Sequence, residues 1–312
     1  MRKCTEVEIA VKVDSVEDLQ NIGTAQCVYR TDNDFTEYFR NLYRRCVQSI
    51  SLDKVSRIYY GSEFCEFCIP GLRDLEALLQ TARWNNLNVT FLTPPVTNFG
   101  MEKIKNLLPL LAQYSCEISV NDFGVLQMLS DNNYTGAVIC GRVLDKLYHD
   151  GRMNRTAFSL YTNHMGYDYL RSPAVSSPSF QSVLKRYGIM RYDIDLPQYG
   201  IDLDSSESDI SFSTFLPYGY ITTGRICMMR NVQKENFAGF DLTQHKCSQK
   251  CRQYDLLMIQ PVSDIQLNSQ GMRNRSTVIM RKGNTLFYGC TEIEPLELQQ
   301  FDRIILQPKL ML

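Results

Sequence analysis

The sequence lacks any run near the roughly 18 consecutive apolar residues that a bilayer-spanning helix needs, so no membrane span is expected. It also lacks a charge excess. Lys and Arg total 33 against 34 Asp and Glu, which leaves no overall field to draw the chain onto nucleic acid or an anionic membrane. Neither G-x-S-x-G nor H-E-x-x-H occurs, so a nucleophile-elbow hydrolase and a zincin-type peptidase lose their usual machinery. Histidine is scarce, with only His149, His164 and His245 to serve as a base or an imidazole ligand. No glycine-rich turn followed by Lys and a hydroxyl is present, and Gly141-Arg142 and Gly151-Arg152 do not make a phosphate loop. Met1 to Val13 scatters Arg2, Lys3, Glu6, Glu8 and Lys12 among its apolar residues, unlike the uninterrupted core of a signal peptide. The expectation is a cytoplasmic protein.

Cysteine, by contrast, is plentiful. Eleven residues in a reducing compartment do not read as a disulfide framework, and the odd count agrees; some are better explained as metal ligands or reactive thiols.

Short β-rich runs alternate with helix-period runs. Strands are expected at Val7 to Val13, Ala25 to Tyr29, Ser56 to Tyr60, Asn88 to Leu92, Cys116 to Val120, Ala137 to Cys140, Ile189 to Ile194 and Ser211 to Phe215. Helices are expected at Phe35 to Val47, Leu72 to Ala82, Met101 to Gln113, Phe123 to Leu129 and Ser179 to Tyr187. This alternation implies right-handed βαβ units and an α/β fold, a TIM-barrel-like (β/α) barrel spanning residues 1–312 as a single domain. Residues 145–177 break the rhythm with Arg, Tyr, Asn, Ser and Pro and read as an inserted excursion; Asp202 to Asp209 reads as an exposed acidic loop. Towards the end, a hairpin around Lys282-Gly283-Asn284, a helix at Pro295 to Gln300 and a strand at Phe301 to Leu306 are expected to complete the barrel.

The sharpest constellation is Cys227, Cys247 and Cys251 in a cysteine-rich segment, residues 225–255, with Cys65 as a fourth candidate directly after a strand end. Four thiolates suit either an iron–sulfur cluster or zinc. Cys65-Glu-Phe-Cys68 also invites a redox-dithiol reading, set against packing for Cys68. Cys4, Cys27, Cys46, Cys116, Cys140 and Cys290 fall mostly within predicted strands and helices and read as core.

The pieces Tyr59-Tyr-Gly-Ser-Glu-Phe-Cys65, Val120-Asn-Asp-Phe-Gly124, Gly188-Ile-Met-Arg-Tyr192, Pro217-Tyr-Gly-Tyr220, Gly224-Arg-Ile-Cys227 and Cys247-x3-Cys251-Arg252 resemble, in this order, the collagenase-like peptidase family U thirty-two. The pattern is most similar to the UbiV-type branch of ubiquinone biosynthesis. The likeness runs over most of the chain, the 145–177 insertion excepted. It implies a 4Fe-4S cluster on Cys65, Cys227, Cys247 and Cys251, and oxygen-independent hydroxylation of a small aromatic substrate or a base, with prephenate as oxygen source. It also implies a heterodimer with a UbiU-like sister subunit. An RNA substrate, a peptidase of the family and a non-catalytic cluster-bearing subunit are the other functions the resemblance admits.

Three further residues are catalytic candidates. Asp122 follows a strand end, where it can serve as a base or as a helix N-cap. Arg191 and Arg225 can pair a carboxylate-bearing donor such as prephenate, or make ordinary salt bridges. His245, two residues before Cys247, can tune a cluster there or simply sit in solvent.

Overall fold

The computed structural model describes residues 7–19, 22, 34–48, 50, 54–150, 163–203, 209–231, 247–258, 279–290 and 295–312. Its strands in chain order are β1 (Glu8–Val13), β2 (Val55–Gly61), β3 (Asn88–Thr93), β4 (Glu117–Val120), β5 (Val138–Cys140), β6 (Arg191–Asp195), β7 (Ser211–Leu216), β8 (Tyr218–Thr223), β9 (Leu256–Met258), β10 (Ile279–Lys282), β11 (Thr285–Gly289) and β12 (Arg303–Leu306). Eight of them close a parallel barrel in the order β1-β12-β7-β6-β5-β4-β3-β2. The other four form an antiparallel sheet, β8-β11-β10-β9.

Two opposite side-chain faces explain the closure. Outward residues such as Val11, Ile58, Phe91, Ile118 and Ile194 pack in the large core with the helices. The helices answer with matching stripes: Leu72–Trp84 buries Leu75, Leu78, Leu79 and Ala82, and Asn98–Gln113 buries Ile104, Leu107, Leu108 and Leu111. The alternate residues Ala10, Tyr59, Leu92, Phe215 and Ile305 make a second, separate cluster inside the barrel.

The rest of the interior is polar. At the N-terminal ends of the strands, Arg303 Nε donates to Glu8 Oε2 at 2.6 Å and Arg303 Nη1 to Glu117 Oε1 at 2.6 Å, while Arg57 Nε donates to Glu8 Oε1 at 2.8 Å. Mid-barrel, Asp193 accepts from Tyr59 Oη at 3.2 Å and from Ser119 Oγ at 2.8 Å. Burial pushes the Asp193 carboxyl up to about 7, against the opposing field of Arg303.

The barrel matches the sequence expectation, and the strands and helices expected within the described residues form with ends displaced by at most a few residues. The strand expected at Ala25 to Tyr29 lies outside the described residues, as does most of the Asp202 to Asp209 loop. One expectation needs correction. Of the elements expected to complete the barrel, only the last strand, β12, does so, pairing with β1 and β7; the β10–β11 hairpin instead joins β8 and β9. The 145–177 segment is anchored at both ends, because buried Asp145 accepts from Val175 N at 3.1 Å. No helix among the described residues is long and apolar enough to cross a membrane.

The Asp193 environment generates a pH prediction. Its folded pKa lies above the ordinary carboxyl value of about 3.9, so the native state holds the extra proton between these pH values. That stabilisation is complete below pH about 4 and is lost as pH rises through about 7. Asp193→Asn, which cannot ionise, should therefore gain stability relative to the wild type on moving from pH 5 to pH 8. Urea midpoints at the two pH values measure this, and an unchanged difference counts against it.

Candidate metal centre

The C-terminal mouth of the barrel is built on four fully buried charges. Lys12 on β1 donates to Glu63 Oε2 at 2.7 Å, and Arg142, just after β5, grips both oxygens of Glu63 at 2.9 Å. The remaining Arg142 nitrogen reaches Asp195 Oδ1 at 2.7 Å and the Tyr218 carbonyl at 3.1 Å. The guanidinium also stands 3.9 Å from the Phe215 ring centroid. Burial opposes ionisation of Glu63, but Arg142 and then Lys12 outweigh it and hold its carboxyl below the ordinary range. Lys12 is lowered by burial, which Glu63 offsets in part. His149 closes this floor, its ring edge-on to Tyr220 at 4.5 Å and its Nδ1 4.0 Å from Asp195 Oδ2. Burial, aided by the Arg142 charge, lowers its pKa against the pull of Asp195, and its Nε2 has no partner among the described residues.

Glu63 belongs to the loop that carries Cys65. That loop leaves β2 through Gly61, where φ is +124° and a Cβ would meet the Leu92 carbonyl oxygen at 2.5 Å, so the position demands glycine. Ser62 Oγ then donates to the Cys65 carbonyl at 2.9 Å and accepts from Cys65 N at 3.2 Å. Cys65 caps a single 3-10 turn, Glu66–Cys68.

The small sheet holds the other cysteines against this loop. Asn284, in the β10–β11 turn, donates through Nδ2 to the Phe64 carbonyl at 2.6 Å and to the Gly224 carbonyl at 2.6 Å. It thus ties the Cys65 loop to the segment leading into Cys227. Gln249, between Cys247 and Cys251, donates to the Phe67 carbonyl and ties in the third segment. Gly283, at φ +57°, sits beside Cys251, its missing Cβ only 3.4 Å from the Cys251 Cβ. Phe64, Tyr218, Tyr220, Cys251, Met280, Phe287, Leu310 and Leu312 form one apolar cluster, with Cys65 and Cys68 packed on it.

Cys65, Cys227, Cys247 and Cys251 therefore share one region, close enough that each of Cys227 and Cys247 feels the charges of Cys65 and Cys251. Backbone amides address the sulfurs: Phe67 and Cys68 at Cys65, Arg230 at Cys227, and Gln249 at Cys247, the last at 3.4 Å. Cys68 joins them, within hydrogen-bonding reach of both Cys65 and Cys251. That contact favours the charged forms of its neighbours: it lowers Cys65 against the effect of burial, and brings Cys251 to about 7. Burial pushes Cys227 up to about 11 and raises Cys247 as well. No three His, Cys, Asp or Glu side chains among the described residues converge on a single ion position. Cys68 lies between its two neighbours, in reach of both.

The other candidates fall elsewhere. Asp122 is the N-cap of the helix Phe123–Asp131, accepting from Gly124 N at 2.6 Å and Val125 N at 3.3 Å, and it also accepts from Val96 N at 3.1 Å. Its carboxylate is committed to backbone. Arg191 opens β6 and so lies at the N-terminal end of the barrel, away from the cysteines, with Ser213 Oγ at 3.3 Å. Arg225 is exposed, two residues before Cys227. His245 lies outside the described residues, as do Cys4 and Cys27. Cys46, Cys116, Cys140 and Cys290 are buried, in keeping with a core role. A cavity of about 580 Å³ lined by Arg57, Gln113 and Glu117 opens at the N-terminal end of the barrel, the wrong end for the thiols. Glu63, Arg142, His149 and Asn284 are the site residues that the sequence reading missed.

Two outcomes test this architecture. Arg142→Met leaves Glu63 and Asp195 without their shared cation and should cost roughly 3–5 kcal/mol in denaturant unfolding, as for other broken buried pairs. Asn284→Ala should speed amide exchange in residues 62–68 and 224–231 while leaving β4 unchanged. Uniform exchange across both regions would show that Asn284 is not the tie. Comparison of the chain with protein-family models, with curated proteins and with solved structures finds no match.

Proposed function

We propose that the chain is an iron–sulfur protein that holds a 4Fe-4S cluster on Cys65, Cys227, Cys247 and Cys251 and takes part in oxygen-independent hydroxylation of an aromatic or heterocyclic substrate. The observation that carries this reading is the gathering of four cysteines from three distant segments at the C-terminal face of a parallel barrel, the face where barrel enzymes place their sites. The donor set fits the group. Thiolates are soft ligands, and amides directed at sulfur stabilise the charged form and tune a cluster's potential. Zinc on the same four thiolates is the rival that metal analysis distinguishes.

When bound, the cluster supplies one-electron chemistry. The protein's own contribution is positional. Glu63, held by Lys12 and Arg142, fixes the Cys65 loop, and the apolar packing of Phe64, Met280, Phe287 and Leu312 limits water on the inner side of the thiols. Arg225 is the one of the three catalytic candidates that remains both unburied and next to a proposed ligand, and it is assigned to the carboxylate of the oxygen donor, prephenate in this reading. A UbiU-like sister subunit and a cytoplasmic setting belong to the same proposal; the sister subunit comes from the motif resemblance alone.

The test is iron and acid-labile sulfide on anaerobically purified protein. The expected result is about four irons per chain, lost in each of Cys65→Ala, Cys227→Ala, Cys247→Ala and Cys251→Ala and retained in Cys68→Ala. Stoichiometric zinc, or iron indifferent to these four changes, would remove the proposal.

A further inference from the structure

Among the described residues the mouth holds five thiols, one more than the four that a 4Fe-4S cluster takes up. Cys68 is the extra one, and its placement is specific. Cys68 N donates to the Cys65 carbonyl at 3.0 Å, closing an i to i+3 turn. Such a turn brings the two Cα atoms within about 7 Å, inside or at the edge of the span that a disulfide bridges. The two side chains are already within hydrogen-bonding reach of each other, and both are partly exposed. Cys251, the other thiol that Cys68 touches, is buried, 5% exposed.

We propose that Cys68 is a resolving thiol: when the site is free of metal and meets a hydroperoxide, Cys65 and Cys68 close a reversible disulfide that protects Cys65 from irreversible oxidation. The atoms balance. The Cys65 sulfur attacks the O–O bond of hydrogen peroxide, becoming a sulfenic acid and releasing one water. The Cys68 sulfur then displaces the sulfenic hydroxyl, which leaves with the Cys68 proton as a second water. Two electrons from the two sulfurs have reduced one peroxide. A dithiol reductant reverses the bond by exchange. Without Cys68, the sulfenic acid at Cys65 continues to sulfinic acid, which thiols do not restore.

The bond itself depends only on the thiol geometry; its value for reloading a cluster rests on the proposed function. The experiment keeps these apart. Full-length, chelator-treated protein is exposed to hydrogen peroxide, alkylated and digested with trypsin, which releases Ile58 to Arg73 as one peptide containing both cysteines. The wild type should yield this peptide unalkylated and lighter by two hydrogens, reverting with dithiothreitol. Cys68→Ser, shown to be folded by far-UV circular dichroism, should instead yield sulfinic acid at Cys65. A bond from Cys68 to Cys251, or both cysteines still alkylated after core thiols have oxidised, would overturn the proposal from wild-type protein alone. Iron and sulfide reconstitution after peroxide and dithiothreitol then reads the consequence, with recovery in the wild type and severalfold less in Cys68→Ser. Failure to load iron in either protein, with the disulfide present, would sink the cluster reading and leave the disulfide standing.

Discussion

Glu63 carries a full negative charge into the mouth of the barrel, and the rest of the site depends on how that charge is met. An isolated carboxylate at such depth would be pushed towards its neutral form. Lys12 from β1 and Arg142 from beyond β5 prevent this, and Arg142 in turn satisfies Asp195 at the end of β6. The tetrad is neutral as a whole and crosses the mouth from one side to the other. Glu63 lies two residues before Cys65, so the same contacts that settle the buried charges also set where the cysteine loop starts. Replacing the tetrad by apolar residues of matching volume need not destabilise the barrel. Its physical value lies in position: paired charges fix one arrangement of the strand ends, where apolar packing would accept several.

From that floor the site is assembled by hydrogen bonds to backbone. Asn284 holds two carbonyls, of Phe64 and Gly224, that precede Cys65 and Cys227. Gln249 holds a third, of Phe67, and its own amide faces the Cys247 sulfur. The small antiparallel sheet is therefore a clamp over the parallel barrel, tied to it at the hairpin turn by Asn284 and along β8 and β11 by Tyr218, Tyr220 and Tyr288. This arrangement gives physical sense to the separation of chemistry from stability along the strand axis. The N-terminal end is closed by the Glu8, Arg57, Glu117 and Arg303 network, while the C-terminal end carries the gathered cysteines.

How much of this was legible in the sequence follows from the range of each interaction. The strands and helices were legible because a period of two or of 3.6 residues is a local signal; Ile58 and Tyr60 alternate with Tyr59 whatever lies across the barrel. The cysteines were legible as a set because of their chemistry and their ordered motifs. Arg142 was not, since nothing near Gly141-Arg142 announces partners 79 residues before it and 53 after it. Asn284 looked like turn composition, and its side chain is committed to a carbonyl 220 residues away. Asp122 was ambiguous for the opposite reason. A carboxylate after a strand end has a local use, capping the next helix, and the local use is the one observed. Arg191 opens β6, and the residue that opens a strand of a parallel barrel lies at the end opposite the mouth.

The cysteines themselves show how a fold sorts one residue type into two chemistries. Cys46 and Cys116 are buried, and burial pushes their thiols up to about 12, for Cys116 against the nearby charge of Arg57. Cys251 is also buried, yet it sits at about 7, because Cys68 donates to it and Lys282 and Arg252 stand nearby. Depth is therefore not what separates Cys251 from Cys46 and Cys116. The difference is the Cys68 donor and the positive charge gathered around Cys251; Cys227 and Cys247, at the same mouth, are raised by burial. A thiol moved between these environments would change its chemistry without changing its residue type. The sulfur chemistry is a property of the barrel mouth, and the sequence can state it only through the distant residues that build that mouth.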